Sequence, residues 1–187
     1  MKMMRRTIYS LLTPALCLLL LPAAARAQGE AWDKYNRAGE AAAVKGDYGE
    51  AERNYLAAVA EAEKHGPKNP YLAHSLSELG RVKYEQGKYA EAEPLYKRAI
   101  AIDEEVSKDA SLAVVLNNLA ELYRTQARYA EAEPLLKRAI SVFEKSLGPN
   151  HPNVGVALEN YAVVLRGLNR NAEAAAAEAR ARAIQGK

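Results

Sequence analysis

The chain has 187 residues, a formal net charge of +3, 49% apolar residues and a single cysteine. The charge excess is local: Lys2, Arg5, Arg6 and Arg26 fall in the first 27 residues, where there is no acid, and the remainder carries 22 Lys and Arg against 23 Asp and Glu. That balance removes the electrostatic case for a nucleic-acid partner or an anionic membrane surface.

Residues 1–27 read as a secretory signal peptide. MKMMRR is a positive n-region, Ile8 to Ala25 is almost wholly apolar, and Ala25-Arg26-Ala27 gives the small-x-small pattern for cleavage before Gln28. The competing reading is an uncleaved anchor, because the apolar stretch is just long enough to span a bilayer. In both cases the basic end stays in the cytosol and the rest crosses the membrane. Cys17 is preceded by Leu16, whereas a lipoprotein signal needs a small residue there, which argues against lipidation. The expected mature chain, 28–187, would enter an oxidising compartment with no disulfide, held by packing alone, without inserting in the membrane.

From Gln28 onward a short polar lead-in is followed by helix-period sequence, with no alternating run that would predict a strand. The organising feature is a repeat. Tyr89 to Ile100 reads YAEAEPLYKRAI and Tyr129 to Ile140 reads YAEAEPLLKRAI, identical at eleven of twelve positions with an offset of 40. Tyr48 and Asn171 stand at the same place in two looser copies, which defines four units at spacings of 41, 40 and 42. Each unit is expected to be a helix A, a tight turn at Gly46, Gly87, Ala127 or Asn169, a helix B and a loop. The units run about 31–65, 70–107, 110–148 and 152–185.

The A segments are Trp32 to Lys45, Tyr71 to Gln86, Leu112 to Gln126 and Asn153 to Leu168, long enough for four turns each. Asn69-Pro70 and His151-Pro152 read as helix starts and Asp109 as a cap. Gly80, Ala120 and Ala162 are expected to face Ala92, Ala132 and Ala174, letting the two helices of a unit approach. Tyr48, Tyr89 and Tyr129 read as packing residues where units meet, in preference to a stacking platform for bases or sugars. Pro94 and Pro134, one turn into helix B, predict a slight bend or a late helix start.

Leu79-Gly80, Gly87, Tyr89, Ala92, Tyr96 and Ala99 stand at the spacing of the tetratricopeptide repeat. With units of 40 to 42 residues the chain resembles the longer variant found in the cargo-binding region of kinesin light chains and in many bacterial proteins. The resemblance covers about residues 31 to 185 and weakens in unit one (Ala38-Gly39) and unit four (Asn171, Glu178), the latter fitting a terminal repeat. It implies an all-α, right-handed α-solenoid of about four helix-turn-helix units whose concave side, lined by the A helices, binds peptides.

No catalytic set is visible. His65, His74 and His151 are scattered without metal spacing, and there is no phosphate loop, nucleophile elbow or cysteine nucleophile. Glu91/Glu93 and Asp103/Glu104/Glu105 read as solvated helix faces. No cofactor is expected. Helical phase puts Asn36, Arg37 and Glu40 on the inner face, with Ser77, Glu78 and Arg81 from unit two. Asn117, Asn118, Glu121 and Arg124 follow from unit three, and Glu159, Asn160 and Arg166 from unit four. Four asparagines in helix interiors invite a reason: an amide both donates to and accepts from an extended peptide backbone, and groove asparagines in long-repeat relatives have that use. Arg81, Arg124 and Arg166 suit acidic side chains or a C-terminal carboxylate. An ordinary polar helix face is the competing reading.

The expected protein is therefore a periplasmic or secreted scaffold or adaptor, not an enzyme, that binds a peptide segment of a partner protein. The alternatives are a self-assembling structural element of the cell envelope, stacked through unit four and unit one, and a non-catalytic accessory subunit of an envelope complex.

Overall fold

The computed structural model describes the backbone of residues 23–186 and the side chains from Gly29 onward. The basic n-region, Cys17 and most of the apolar stretch lie outside the described residues, and with them the signal-peptide reading. Among the described residues there are eight helices and no strand. They are α1 Ala23–Val44, α2 Tyr48–Glu63, α3 Pro70–Glu85, α4 Tyr89–Val106, α5 Ala110–Thr125, α6 Tyr129–Leu147, α7 Pro152–Gly167 and α8 Asn171–Gln185. Each packs on the next in chain order, and the odd-numbered helices also touch one another. That pattern is a helical solenoid of four hairpins with α1, α3, α5 and α7 side by side along its inner face.

The turns follow from local chemistry. Gly46, Gly87, Ala127 and Asn169 all take positive φ, at 77°, 73°, 57° and 61°. Each closes its A helix with a hydrogen bond from the following N–H to the carbonyl five residues back, such as Lys88 to Lys83 at 2.8 Å and Arg128 to Tyr123 at 2.8 Å. The A helices start as expected. Asn69, Asp109 and His151 accept from the backbone N–H of Tyr71, Ser111 and Asn153 at 3.0, 2.9 and 3.2 Å. Asn69 also donates to the Ala62 carbonyl at 3.0 Å, tying the end of α2 to the start of α3.

Three points add to or change the sequence reading. Helix α1 already includes Ala23, the first described residue, upstream of Trp32, so the polar lead-in is helical; its alanines favour helix. Helices α4 and α6 start at Tyr89 and Tyr129, upstream of Pro94 and Pro134, so neither proline delays its helix. Finally, the nearest neighbour of Gly80 is a ring, a contact the sequence reading did not name. A Cβ on Gly80 would lie 2.9 Å from Tyr96, and one on Gly39 would lie 2.9 Å from Tyr55. Unit three has Ala120 and Leu136 at the equivalent places, both buried in one cluster. A large ring demands glycine opposite; a smaller leucine leaves room for a methyl.

The tyrosines after the turns do sit at unit junctions, but only half-buried. A Cβ on Gly167 of α7 would lie 2.6 Å from the Tyr129 ring, and Tyr89 meets Tyr84 with centroids 5.4 Å apart. The fully buried aromatics are Tyr55 and Tyr96.

Candidate functional site

The inner face is built from helix positions that recur three and four residues apart. On α3 they are Tyr71, His74, Glu78 and Arg81; on α5, Ser111, Val114, Asn117, Asn118 and Glu121; on α7, Asn153, Val156, Asn160 and Val163, all at least partly exposed. Of the predicted residues, Ser77 is buried at 4% exposure and offers nothing to a ligand. Asn118 is half-buried. Asn160 donates from Nδ2 to Asn117 Oδ1 at 3.0 Å, bridging α7 and α5. Asn36 holds a buried Oδ1 without a hydrogen-bond partner among the described residues.

The predicted arginines are not free anion receptors. Arg37 pairs with Asp33 at 2.8 Å, Arg81 with Glu78 at 2.7 Å, Arg124 with Glu121, and Arg166 with Glu178 of α8. Tyr55 donates to Glu78 at 3.3 Å, and its hydroxyl is pushed up to about 12 by burial and by that carboxylate. Tyr84 reaches across to Glu121 at 3.3 Å and shares a hydrogen bond with Thr125 at 2.9 Å. A ligand anion would have to displace carboxylates already seated on these guanidiniums.

Sequence reasoning missed the apolar part of this face. Tyr71, Val114, Val156 and Val163 remain 42%, 40%, 48% and 41% exposed. Val114 and Val156 recur at the same repeat position, one turn before the asparagines. With Asn117, Phe143 and Asn153 they line a cavity of about 150 Å³ between α5 and α7. The available signal was this pair of valines in phase with Asn117 and Asn160 on helices already assigned an inner face.

The tetratricopeptide repeat profile matches residues 33–105 and 111–187. The chain belongs to the tetratricopeptide repeat family. Its fold is also that of solved structures: BtubC (BKLC) from P. vanneervenii, at TM-score 0.73 and 20% identity over 89% of this chain and 75% of that one; and the kinesin light chain nearly identical TPR-like repeats of Podosopora anserina, at TM-score 0.67 and 23% identity over 91% and 81%. No curated protein sequence matches. Tetratricopeptide repeat proteins are typically non-catalytic scaffolds for protein–protein interaction.

The tetratricopeptide repeat array differs from the sequence expectation in its acidic residues. Glu93 is no idle surface charge: it accepts from Tyr123 at 3.0 Å and pairs with Arg128 at 2.7 Å and Lys97 at 2.6 Å. Hydrogen bonds from Arg128 and then Lys97 push its carboxyl down to about 2. Glu104 and Glu105 are surface residues paired with Arg138 and Lys68, whereas Asp103 is buried at 3% exposure. Burial pushes its carboxyl above the ordinary range, against the Ser111 hydroxyl that donates to it at 3.2 Å. Among the described residues there is no cluster of metal-ligating side chains, and no helix long and apolar enough to cross a membrane.

Proposed function

We propose that this tetratricopeptide repeat chain is an exported adaptor, periplasmic or secreted, that holds an extended segment of a partner protein along the face formed by α1, α3, α5 and α7. The observation that carries the reading is the strip of exposed apolar side chains on that face, Tyr71, Val114, Val156 and Val163, where a solvated helix would carry charge. Half-buried amides flank the strip. Asn118 and Asn160 would bond a peptide backbone, whereas the Asn36 acceptor is closed off from solvent and would not. The apolar contacts would supply affinity and the amides would set register. Arg37, Arg81, Glu121, Arg124 and Arg166 would contribute a rim of preformed ion pairs. Export rests on residues 1–27 as read from the sequence.

Photo-crosslinking in cells tests this directly. A reactive residue at Asn118 should give a discrete partner adduct that one at Lys137, on the outer helix α6, does not. Val156→Glu should abolish the Asn118 adduct by placing a charge in the strip. Adducts from Lys137 alone, or only to a second copy of the chain, would overturn the groove reading.

A further inference from the structure

The outer side of the array carries two cavities that repeat. One, of about 470 Å³, opens between α4 and α6; the other, of about 430 Å³, opens between α6 and α8. Lys97, Ile100, Leu119, Glu131, Pro134 and Leu135 of the first become Lys137, Ile140, Tyr161, Glu173, Ala176 and Ala177 of the second, 40 or 42 residues on. The inner helices touch one another while the outer ones stand further apart, and an inner-helix side chain, Leu119 or Tyr161, floors each gap. One unit earlier the place of Lys97 and Lys137 is taken by Leu56, which is left exposed on α2.

Ion pairs between the outer helices close each gap at both ends and make it a bay. Arg128–Glu93 at 2.7 Å and Arg138–Glu104 at 2.5 Å bracket the first; Arg170–Glu133 at 2.6 Å and Arg180–Glu144 at 2.5 Å bracket the second. A partner laid lengthwise in a gap would have to break these pairs. One laid across the outer helices keeps them and puts one side chain into each bay. Units advance by about 8–10 Å where helices pack. A helix presents residues seven apart on one face, about 10.5 Å from each other, whereas an extended strand returns to the same face at about 6.6 or 13 Å.

Charge sets the flanks of such a helix. Each bay has a lysine on one wall and a glutamate on the other, Lys97 with Glu131 and Lys137 with Glu173, and each keeps more than half its side chain exposed. Their present partners, Glu93, Arg128, Glu133 and Arg170, are close in sequence, and ion pairs of exposed lysines and glutamates are weak enough to be shared. From α4 to α8 the order is therefore base, apolar bay, acid and base, apolar bay, acid.

We propose that α4, α6 and α8 form a second docking surface, for an amphipathic helix of a partner protein lying across them. Two large apolar residues seven positions apart fill the two bays, with an acid over Lys97 at one end and a base over Glu173 at the other. The surface does not depend on the groove reading, and its partner is a separate one. A crosslinker at Lys137 would capture that partner and not the Asn118 adduct.

The test is selection of random peptides of about 16 residues, enough for four helical turns, on the immobilised full chain, with retained sequences re-bound to variants. Ala130 and Ala176 are exposed alanines lining the first and second bays. Ala130→Glu and Ala176→Glu put a charge into a bay from a helical surface position, so circular dichroism should match the parent. The expected result is a class of peptides with apolar residues seven apart, bound about tenfold more weakly by either variant and equally well by Val156→Glu on the inner face. Selection on Glu173→Lys should replace the basic flank with an acidic one. Peptides weakened by both variants but with apolar residues two, three or four apart would mean an extended occupant and overturn the helix. Peptides indifferent to both variants, no retained peptide, or self-association of the chain that Ala176→Glu alone abolishes would overturn the surface as a partner site.

Discussion

Gly80 and Tyr96 show how one residue decides another at the heart of a hairpin. The Tyr96 ring, 1% exposed, occupies the volume a Gly80 side chain would need. Two effects oppose each other in Gly80→Ala. Alanine in a helix interior is better than glycine by about 0.5–1 kcal/mol, while forcing a methyl against a packed ring costs about 1–3 kcal/mol. Overpacking wins, and urea denaturation should show a net loss of about 1–2 kcal/mol. Adding Tyr96→Leu recreates the Ala120–Leu136 pair of unit three. Its cost should be smaller in the Gly80→Ala background than in the parent, a coupling of about 1 kcal/mol. Additive costs would mean that the two residues do not share that space.

Between elements, two ion ladders run along the outer helices, and their periodicity is that of the repeat. Lys88, Arg128 and Arg170, each just before a B helix, reach Glu52, Glu93 and Glu133 of the preceding unit at 3.7, 2.7 and 2.6 Å. Arg98, Arg138 and Arg180 reach Glu63, Glu104 and Glu144 at 2.7, 2.5 and 2.5 Å. The rungs of the second ladder are the more exposed and weak; the acids of the first are partly buried, at 22%, 21% and 17% side-chain exposure, and Glu93 among them has three partners. Its folded carboxyl lies at about 2, below the ordinary 4.5, so the folded state binds its proton less readily than the unfolded chain. The resulting stabilisation is complete above about pH 5 and is lost as pH falls toward 2. Glu93→Gln should therefore cost about 1 kcal/mol at pH 7, with the gap to the parent closing in acid. Asp103 works in the opposite sense: its raised folded value favours the protonated form, so its contribution to stability falls as pH rises from the unfolded value through the folded one. A gap for Glu93→Gln that is constant from pH 7 to 3 would refute the first of these assignments.

At the scale of the molecule the solenoid ends in a polar cap. In units one and two the residue opposite the small helix-A position is Tyr55 or Tyr96; in unit four the equivalent residue is Glu178, which pairs with Arg166. The outer side of α8 exposes alanine with charge, including Ala172, Ala175, Ala179, Arg180 and Arg182. Such a surface offers little apolar area to a stacking neighbour, so sedimentation should find a monomer whose size does not grow with concentration. Raising ionic strength from about 0.05 to 1 M shortens the Debye length from over 10 Å to about 3 Å and screens the exposed ladder rungs. The melting temperature should fall modestly over that range. An oligomer stable in high salt would favour the self-assembly alternative.

The sequence alone determined the hairpin count, the turn residues and the capped starts of α3, α5 and α7. Each depends on local chemistry: positive φ at Gly46 or Asn169, an acceptor at Asn69 or Asp109, an apolar period on every helix. It also placed Asn36, Asn117, Asn118 and Asn160 on helices that line the inner face, because helical phase is local too. Partnership between helices was not legible. Nothing in the order of residues showed that Arg166 is neutralised by Glu178 of another helix, that Ser77 is closed off, or that Tyr96 fills the place of a Gly80 side chain. The run Asp103-Glu104-Glu105 is the sharpest case: three neighbouring acids read as one solvated face, yet a helix turns about 100° per residue. Stacking the next hairpin on α4 buried Asp103 and left Glu104 and Glu105 at the surface. Which face is covered depends on the neighbour that covers it, and only the tertiary structure decides that.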